Sequence, residues 1–460
     1  MEAELNSGET EDHFRRILAS TIPSTTASTD EEALQILIDS SRTSHGRSAL
    51  SEILPTVLRL LRSLPDHHPF LLPSLRLIRN LCAGDASNQN SFLLFNGVDE
   101  VSSLILGDAD PQIVRAGLQV LGNVSLAGED QRDAVWGRLF PKGLWELARV
   151  RDRCVADPLC MIIYTCCDNR GRLIELSGDQ GLSIVSDIIK TASEDEFRED
   201  WLPLLLSKIS LEESYFPLLF DKLGSADGIT SEQAFLVRLL AENLDQRFNE
   251  VAISDAFSLA VLKIVDRASR AINFVSRGTS SLPTGDPAID VLGYSLIILR
   301  NICAREDLPQ TSVDSLILSG LIRLLLGLLR DLEPPTNIRT VLKNSDVIMK
   351  ACPYSGFRRD VVAVLGNCAF RRKQVQDEIR NENGILLLLQ QCSVCDENPF
   401  SREWAIWAMR NVFEGNEDNQ NEISKLECQG AVDNPCITEL GLRVEWDQNS
   451  GRARLVNITT

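Results

Sequence analysis

The sequence predicts an all-α chain folded as a right-handed superhelical array of helical repeats, closed at its C-terminal end by a small β-hairpin. Three observations carry this reading. One apolar pattern recurs around an asparagine in five places, the copies fall at a regular spacing, and the composition is poor in the groups that catalysis uses.

The recurring segments are LRLIRNLC, LQVLGNVS, LIILRNIC, VAVLGNCA and IWAMRNVF, centred on Asn80, Asn123, Asn301, Asn367 and Asn411. In each, the residues five, three and two before the asparagine are apolar, from Leu75, Leu77 and Ile78 in the first copy to Ile406, Ala408 and Met409 in the last. The residue just after is apolar too (Leu81, Val124, Ile302, Cys368, Val412), and a glutamine follows eight or nine positions later (Gln89, Gln131, Gln310, Gln376, Gln420). That spacing of apolar positions is helical. Asn80 and Asn123 are 43 residues apart, Asn367 and Asn411 are 44, and Asn123 to Asn301 is 178, close to four such periods. A repeat of about 40–47 residues is the period of armadillo and HEAT arrays.

Degenerate copies fill the gap: the helix around Cys160 to Cys167, the run Trp201 to Ile209, and LVRLLAENL ending near Asn243. Between the asparagine-bearing helices, Asn90 to Gly97, Asp377 to Gly384 and Asn421 to Gly430 read as short helices stopped by glycine. A further apolar run follows each, giving the three-helix armadillo order. The polar, proline-bearing stretches Ser276 to Asp286 and Asp331 to Ser355 read as loops, the second an insertion. Val444 to Asp447 and Ala453 to Val456 flank Asn449-Ser-Gly, a hairpin signal. The chain divides into an acidic, polar segment (1–30), repeats degenerate in the middle (31–345), and a C-terminal repeat domain (346–460).

Composition narrows the function. Acids outnumber bases 65 to 46, so nucleic acid and anionic membranes are repelled as main partners. The four histidines (His13, His45, His67, His68) all precede residue 69, which removes most hydrolase triads and catalytic zinc sites from the repeats. No phosphate-binding, dinucleotide-binding or metalloprotease motif occurs, and no cofactor is expected. Cys392 and Cys395 form a CxxC that would need Cys428 and Cys436 to hold zinc, a spacing that matches no familiar finger. They read as two thiols near the end of an apolar helix. Cys82, Cys303 and Cys368 read as small core residues. Sparse cysteine and a polar, acidic start predict a reduced, cytoplasmic protein without a membrane span, the most apolar window (Leu316 to Leu329) being too short.

At about 100° per residue, the asparagine lies opposite the apolar face, beside positions four and seven before it. Asn411 thus shares its face with Trp404 and Trp407, Asn301 with Tyr294 and Ile297, Asn80 with Arg76, and Asn367 with Asp360. Arginine precedes the asparagine at Arg79, Arg300 and Arg410. Stacked repeats would align these residues into a groove for other proteins, in acidic or extended segments, with the asparagine amides bonding a peptide main chain and the aromatic rings clamping side chains. The competing reading is a ladder in which each asparagine bonds the neighbouring repeat. Arg358, Arg359, Arg371, Arg372 and Lys373 read as solvated charge or a docking patch for an acidic partner.

Trp407-Ala-Met-Arg-Asn411 resembles the Trp-Ala-Leu-Ser-Asn element of armadillo proteins that hold peptides, which offers an importin-type cargo receptor as an alternative function. Gly356-Phe-Arg-Arg-Asp360, Leu365-Gly-Asn367-Cys, Asn398-Pro-Phe-Ser-Arg-Glu-Trp-Ala405 and Arg410-Asn-Val-Phe-Glu-Gly-Asn-Glu-Asp-Asn-Gln420 resemble the C-terminal domain of the ataxin-10 family, over roughly residues 350 to 455. The resemblance implies a non-catalytic cytoplasmic scaffold linked with cytokinesis, cell-cycle regulation and signalling. It supplies no ligand or catalytic residues to place on this sequence.

Overall fold

A computed structural model describes residue 16 and residues 30–65, 68–107, 110–194, 201–212, 215–274, 278–305, 310–335, 350–393, 400–426, 435–447 and 452–458. One row of helices organises the fold. It runs α1 (Asp30–Ser40), α2 (Leu71–Leu81), α3 (Pro111–Ser125), α4 (Arg153–Cys166), α5 (Trp201–Leu206), α6 (Ser231–Gln246), α7 (Pro287–Ala304), α8 (Phe357–Ala369) and α9 (Ser401–Phe413), each packed on the next. The five asparagine-bearing segments are α2, α3, α7, α8 and α9. The degenerate copies are α4, α5 and α6, so the row is unbroken. Paired helices such as Ala86–Leu94 with Gly97–Ile105, and Lys373–Asn381 with Gly384–Gln391, back the row and give each unit its three-helix form. This is an all-α, armadillo-like array.

The recurring apolar triplets explain the stacking. Leu75, Leu77, Ile78, Leu118, Val120, Leu121, Leu296, Ile298, Leu299, Val362, Val364 and Leu365 are all fully buried in one continuous core. Burial of this kind contributes about 25 cal/mol per Å² of apolar surface removed from water. Ile406 departs from the pattern and is half exposed, because among the described residues α9 is the last row helix and none covers its outer side.

Local chemistry sets the helix starts. Asp85, Asp110, Asp152, Asn169, Ser254, Asp286 and Asn416 each accept a backbone N–H of the first turn that follows. Thr230 and Gln233 form a reciprocal capping box at α6. The expected glycine stops are corrected. Asn96 and Asn383 take the left-handed conformation that ends the short helices, and Gly97 and Gly384 open the next ones. Glycine is needed there for closeness, since a Cβ on Gly97 would lie 2.6 Å from the Phe92 ring and one on Gly384 would lie 2.8 Å from the Ile379 carbonyl. Gly430 lies outside the described residues.

The apolar window Leu316 to Leu329 is two helices, Gln310–Leu318 and Leu321–Asp331, with a 56° bend where Gly320 is left-handed. Among the described residues, the helix long and apolar enough to cross a membrane is α7, and 67% of it is buried within the array. The insertion between α7 and α8 is described at its two ends, where Lys350 pairs with Asp331 at 2.9 Å and Ala351 N–H donates to the Phe274 carbonyl. Strands β1 (Leu442–Asp447) and β2 (Arg452–Asn457) pair antiparallel, in the register Leu442 to Asn457 through Asp447 to Arg452. The Asn449-Ser-Gly turn between them lies outside the described residues.

In two of the repeats the glutamine joins successive row helices. Gln89 Nε2 donates to the carbonyls of Cys82 (2.9 Å) and Asn123 (2.8 Å), tying the end of α2 to α3. Buried Gln376 does the same for α8 and α9, donating to Ala369, Asn411 and Glu414 carbonyls while accepting from Asn416 Nδ2. Removing it orphans several buried carbonyls, at about 1–3 kcal/mol. In urea titrations Gln376→Ala is therefore expected to lose about 1–3 kcal/mol. The exposed Gln420→Ala, which forfeits the bond to the Phe413 carbonyl, should lose less than about 1 kcal/mol.

Candidate functional site

The asparagine face is chiefly a ladder. Asn123 Nδ2 donates to the Arg79 carbonyl (2.9 Å), Asn367 Nδ2 to the Arg300 carbonyl (3.1 Å) and Asn411 Nδ2 to the Gly366 carbonyl (2.9 Å). Each thus reaches the residue just before the asparagine of the preceding repeat. Asn80 Nδ2 bonds the Ile38 carbonyl and Ser41 Oγ on α1's end, and Asn301 Nδ2 bonds Asp245 Oδ1. The Ile38, Arg79 and Gly366 carbonyls fall in the last turn of their helices, where intrahelical partners run out, and the Asn80, Asn123 and Asn411 amides satisfy them. Asn301 and Asn411 are buried; Asn80, Asn123 and Asn367 are half-buried. The repeat geometry gave the right face but not its depth.

Other expected groove residues lie elsewhere. Tyr294 and Asp360 are buried, and Asp360 accepts from Tyr354 Oη and Arg359 Nε, both at 2.9 Å. Arg300 is held between Asp245 (3.4 Å) and Asp360 (3.8 Å). Arg358, read as solvated, is buried and donates to Gln391 Oε1 and the Glu333 carbonyl. Cys82, Cys303 and Cys368 are core residues as expected, and Cys392 is half-buried. Cys395 and Cys428 lie outside the described residues.

What remains open on this face has two chemically different ends. At α8 and α9, Trp404, Trp407, Glu403 and Asn367 line a cleft of about 330 Å³. Trp407 is 48% exposed, and the Arg410 guanidinium sits 5.2 Å over its ring. A half-exposed aromatic beside a cleft is an anchor point for an apolar side chain. At α2 and α3, Arg76, Arg79 and Arg115 line a recess of about 510 Å³ with Gln119, flanked by the cap carboxylates of Asp110 and Asp152. Arg79 donates to Gln119 Oε1 at 2.9 Å and to Asn80 Oδ1 at 3.1 Å. Burial, and then the charges of Arg76, Arg115 and Arg42, hold the Arg79 guanidinium below its usual pKa. The repeat register places Arg76 and Arg79 on this face; Arg115 carries no such signal, because it stands eight positions before Asn123, outside the positions that flank the asparagine. Asn88 and Asn419 lie outside them too, although each precedes the repeat glutamine directly. Asn88 Nδ2 donates to the Leu81 carbonyl and Asn419 Nδ2 to the Val412 carbonyl, at the same place in each repeat.

A protein-family model described as "Spinocerebellar ataxia type 10 protein domain" matches residues 357–456, and Ataxin-10 from Homo sapiens is 25% identical over 388 residues, spanning 80% of this chain and 78% of that protein. The chain is similar to the ataxin-10 proteins over most of its length and carries a match to their C-terminal domain at residues 357–456. Ataxin-10 from Bos taurus is 27% identical over 385 residues, again 80% of this chain, and the Ataxin-10 homolog of Dictyostelium discoideum is 36% identical over 103 residues, 22% of this chain and 17% of that protein. Among solved structures, an engineered protein covers 89% of this chain and 99% of its own at 15% identity and a TM-score of 0.36. A structure described as "A conserved phosphorylation switch controls the interaction between cadherin and beta-catenin in vitro and in vivo" covers 89% and 78% at 15% identity and a TM-score of 0.38. Family and repeat architecture together support a protein-interaction scaffold.

Four buried thiols are held neutral by packing. Burial raises Cys82, Cys160 and Cys167 above their usual range and pushes Cys166 up to about 11. A group whose folded pKa is raised stabilises the fold fully below its unfolded value, near 9, and loses that contribution as pH climbs through the folded value. Urea titrations should thus show stability flat from pH 7 to 8.5 and falling above pH 9, by about 1.4 kcal/mol per pH unit for each buried thiol. A flat profile to pH 10.5 would contradict thiols held neutral by packing.

Proposed function

We propose that the chain is a non-catalytic, cytoplasmic scaffold that holds an extended segment of a partner protein along the row's open face, with Trp404 and Trp407 as the anchor. The carrying observation is the cleft at Asn367, where a half-exposed tryptophan under a stacked arginine stands beside the ladder. Roles in cytokinesis, cell-cycle regulation and signalling belong to this proposal on family grounds.

The spent asparagine amides shape the reading. With each Nδ2 given to the neighbouring repeat, a peptide gains little main-chain bonding from them, and side-chain pockets supply the contact. An importin-type cargo receptor would repeat the tryptophan and asparagine pair on consecutive row helices. Here the pair stands on α9, whereas α2 presents Arg76 and Arg79.

Trp407→Ala separates groove from core. Half of the ring is already in water, so its loss should cost at most about half of the 3–5 kcal/mol typical of a fully buried aromatic. In affinity capture from cell extract it should abolish a partner that the wild-type chain retains. Trp145→Ala is the matched control, since Trp145 is 41% exposed and carries Arg149 over its ring at 4.5 Å, but lies on a backing helix. Equal loss of the partner in both variants, or in neither, would overturn the groove reading. Asn411→Ala is unsuited to this test, because Asn411 is buried on the Gly366 carbonyl and its loss is a stability lesion.

A further inference from the structure

The described residues include four buried arginines, and three are fully engaged. Arg172 bonds Glu129, Asp133 and the Cys166 carbonyl; Arg305 bonds the Val251 carbonyl; Arg358 bonds Gln391 and the Glu333 carbonyl. Arg238, on α6, is the exception. It is 93% buried (7% exposed), its Nε has no partner, and its guanidinium makes no hydrogen bond or ion pair with a described residue. Its sole described contact of note is the Phe235 ring, whose centroid lies 5.4 Å away.

A guanidinium cannot shed its charge, so burial without a counter-ion or acceptor is unfavourable. The group faces a recess of about 390 Å³ between the N-terminal halves of α6 and α7, lined by Ser231, Phe235, Thr284, Asp290 and Tyr294. The carboxylate in that recess is not the missing partner. Asp290 stands beyond ion-pair distance of Arg238, and its oxygens already accept from Thr284 N (2.6 Å), Thr284 Oγ1 (2.8 Å) and Gly285 N (3.2 Å). Those bonds fold the loop before α7 over the recess and give it a fixed wall. The volume is that of a small-ligand site, and a planar fork of donors beside an aromatic ring suits a planar or tetrahedral oxyanion.

We propose that this recess binds a small oxyanion, the carboxylate or phosphate group of a low-molecular-weight ligand, against the Arg238 guanidinium. The site is separate from the tryptophan cleft and does not depend on it. The ligand would act as the counter-ion that no described residue provides, locking α6 to α7 in the middle of the row.

The test uses the full chain in chloride buffer at constant ionic strength, titrated with sodium phosphate and separately with sodium succinate, by calorimetry and thermal unfolding. Saturable one-to-one binding with a raised melting temperature is expected for at least one anion, and which of the two binds names the head group. Arg238→Met should weaken binding at least tenfold, whereas Arg267→Met, at an exposed ion pair with Asp221, should leave it unchanged. The same variant should unfold no more easily than wild type without anion, since it replaces an unpaired charge by an apolar chain of similar length. If wild type binds neither anion saturably, or if Arg238→Met binds as well as wild type, the proposal is wrong. The wild-type titration decides the matter even should Arg238→Met fail to fold.

Discussion

Everything in this molecule depends on how a stack of helices satisfies the carbonyls at its helix ends. A helix leaves its last carbonyls without internal partners, and in a close stack water cannot serve them all. Here side-chain amides do so, and from both directions. The asparagine of one row helix donates back to the preceding one, from Asn123 to Arg79 and from Asn411 to Gly366. The glutamine of the preceding repeat donates forward, from Gln89 to Asn123 and from Gln376 to Asn411. Because the amide is short and the bond directional, the pair fixes the stagger of neighbouring helices, a task that apolar packing alone performs loosely.

That constraint explains what the sequence made legible. A register repeated five times shows up because each amide must reach the preceding row helix, at a carbonyl in four copies and at the Asp245 carboxylate for Asn301, so Asn80, Asn123, Asn301, Asn367 and Asn411 and their apolar triplets could be read directly. Depth could not. Helical angle separates inward from outward positions but does not say how closely the next repeat approaches, and Tyr294, Asp360, Asn301 and Asn411 are all deeper than their angle suggests. Ile406 errs in the opposite sense because the pattern cannot show that the row ends there. Arg238 gave no signal at all: on an apolar helix it reads as any arginine, and only its missing partner marks it out.

The same logic bears on function. An amide committed to the ladder contributes little to a ligand, so the open face draws its character from the residues between the rungs. Those differ along the row, with Arg76, Arg79 and Arg115 at one end and Trp404 and Trp407 at the other. A chain of net charge −19 that gathers three arginines around one recess offers a local field opposite to its global one. A partner would be oriented by that contrast, its acidic part drawn toward α2 and α3 and its apolar part toward α9.

The family match begins at Phe357, the first residue of α8, yet the structure has no seam there. Asn367 donates to the Arg300 carbonyl across that boundary, Arg300 reaches Asp360, and α8 buries its apolar face against α7. Sequence similarity is therefore concentrated in a stretch that is not a physical unit. Cutting before Phe357 would expose the α7 side of α8 and leave Asp360 without Arg300. The end of the chain that the family model matches is held in shape by the more degenerate repeats upstream, and the tryptophan cleft, built between α8 and α9, rests on the packing of α8 against α7.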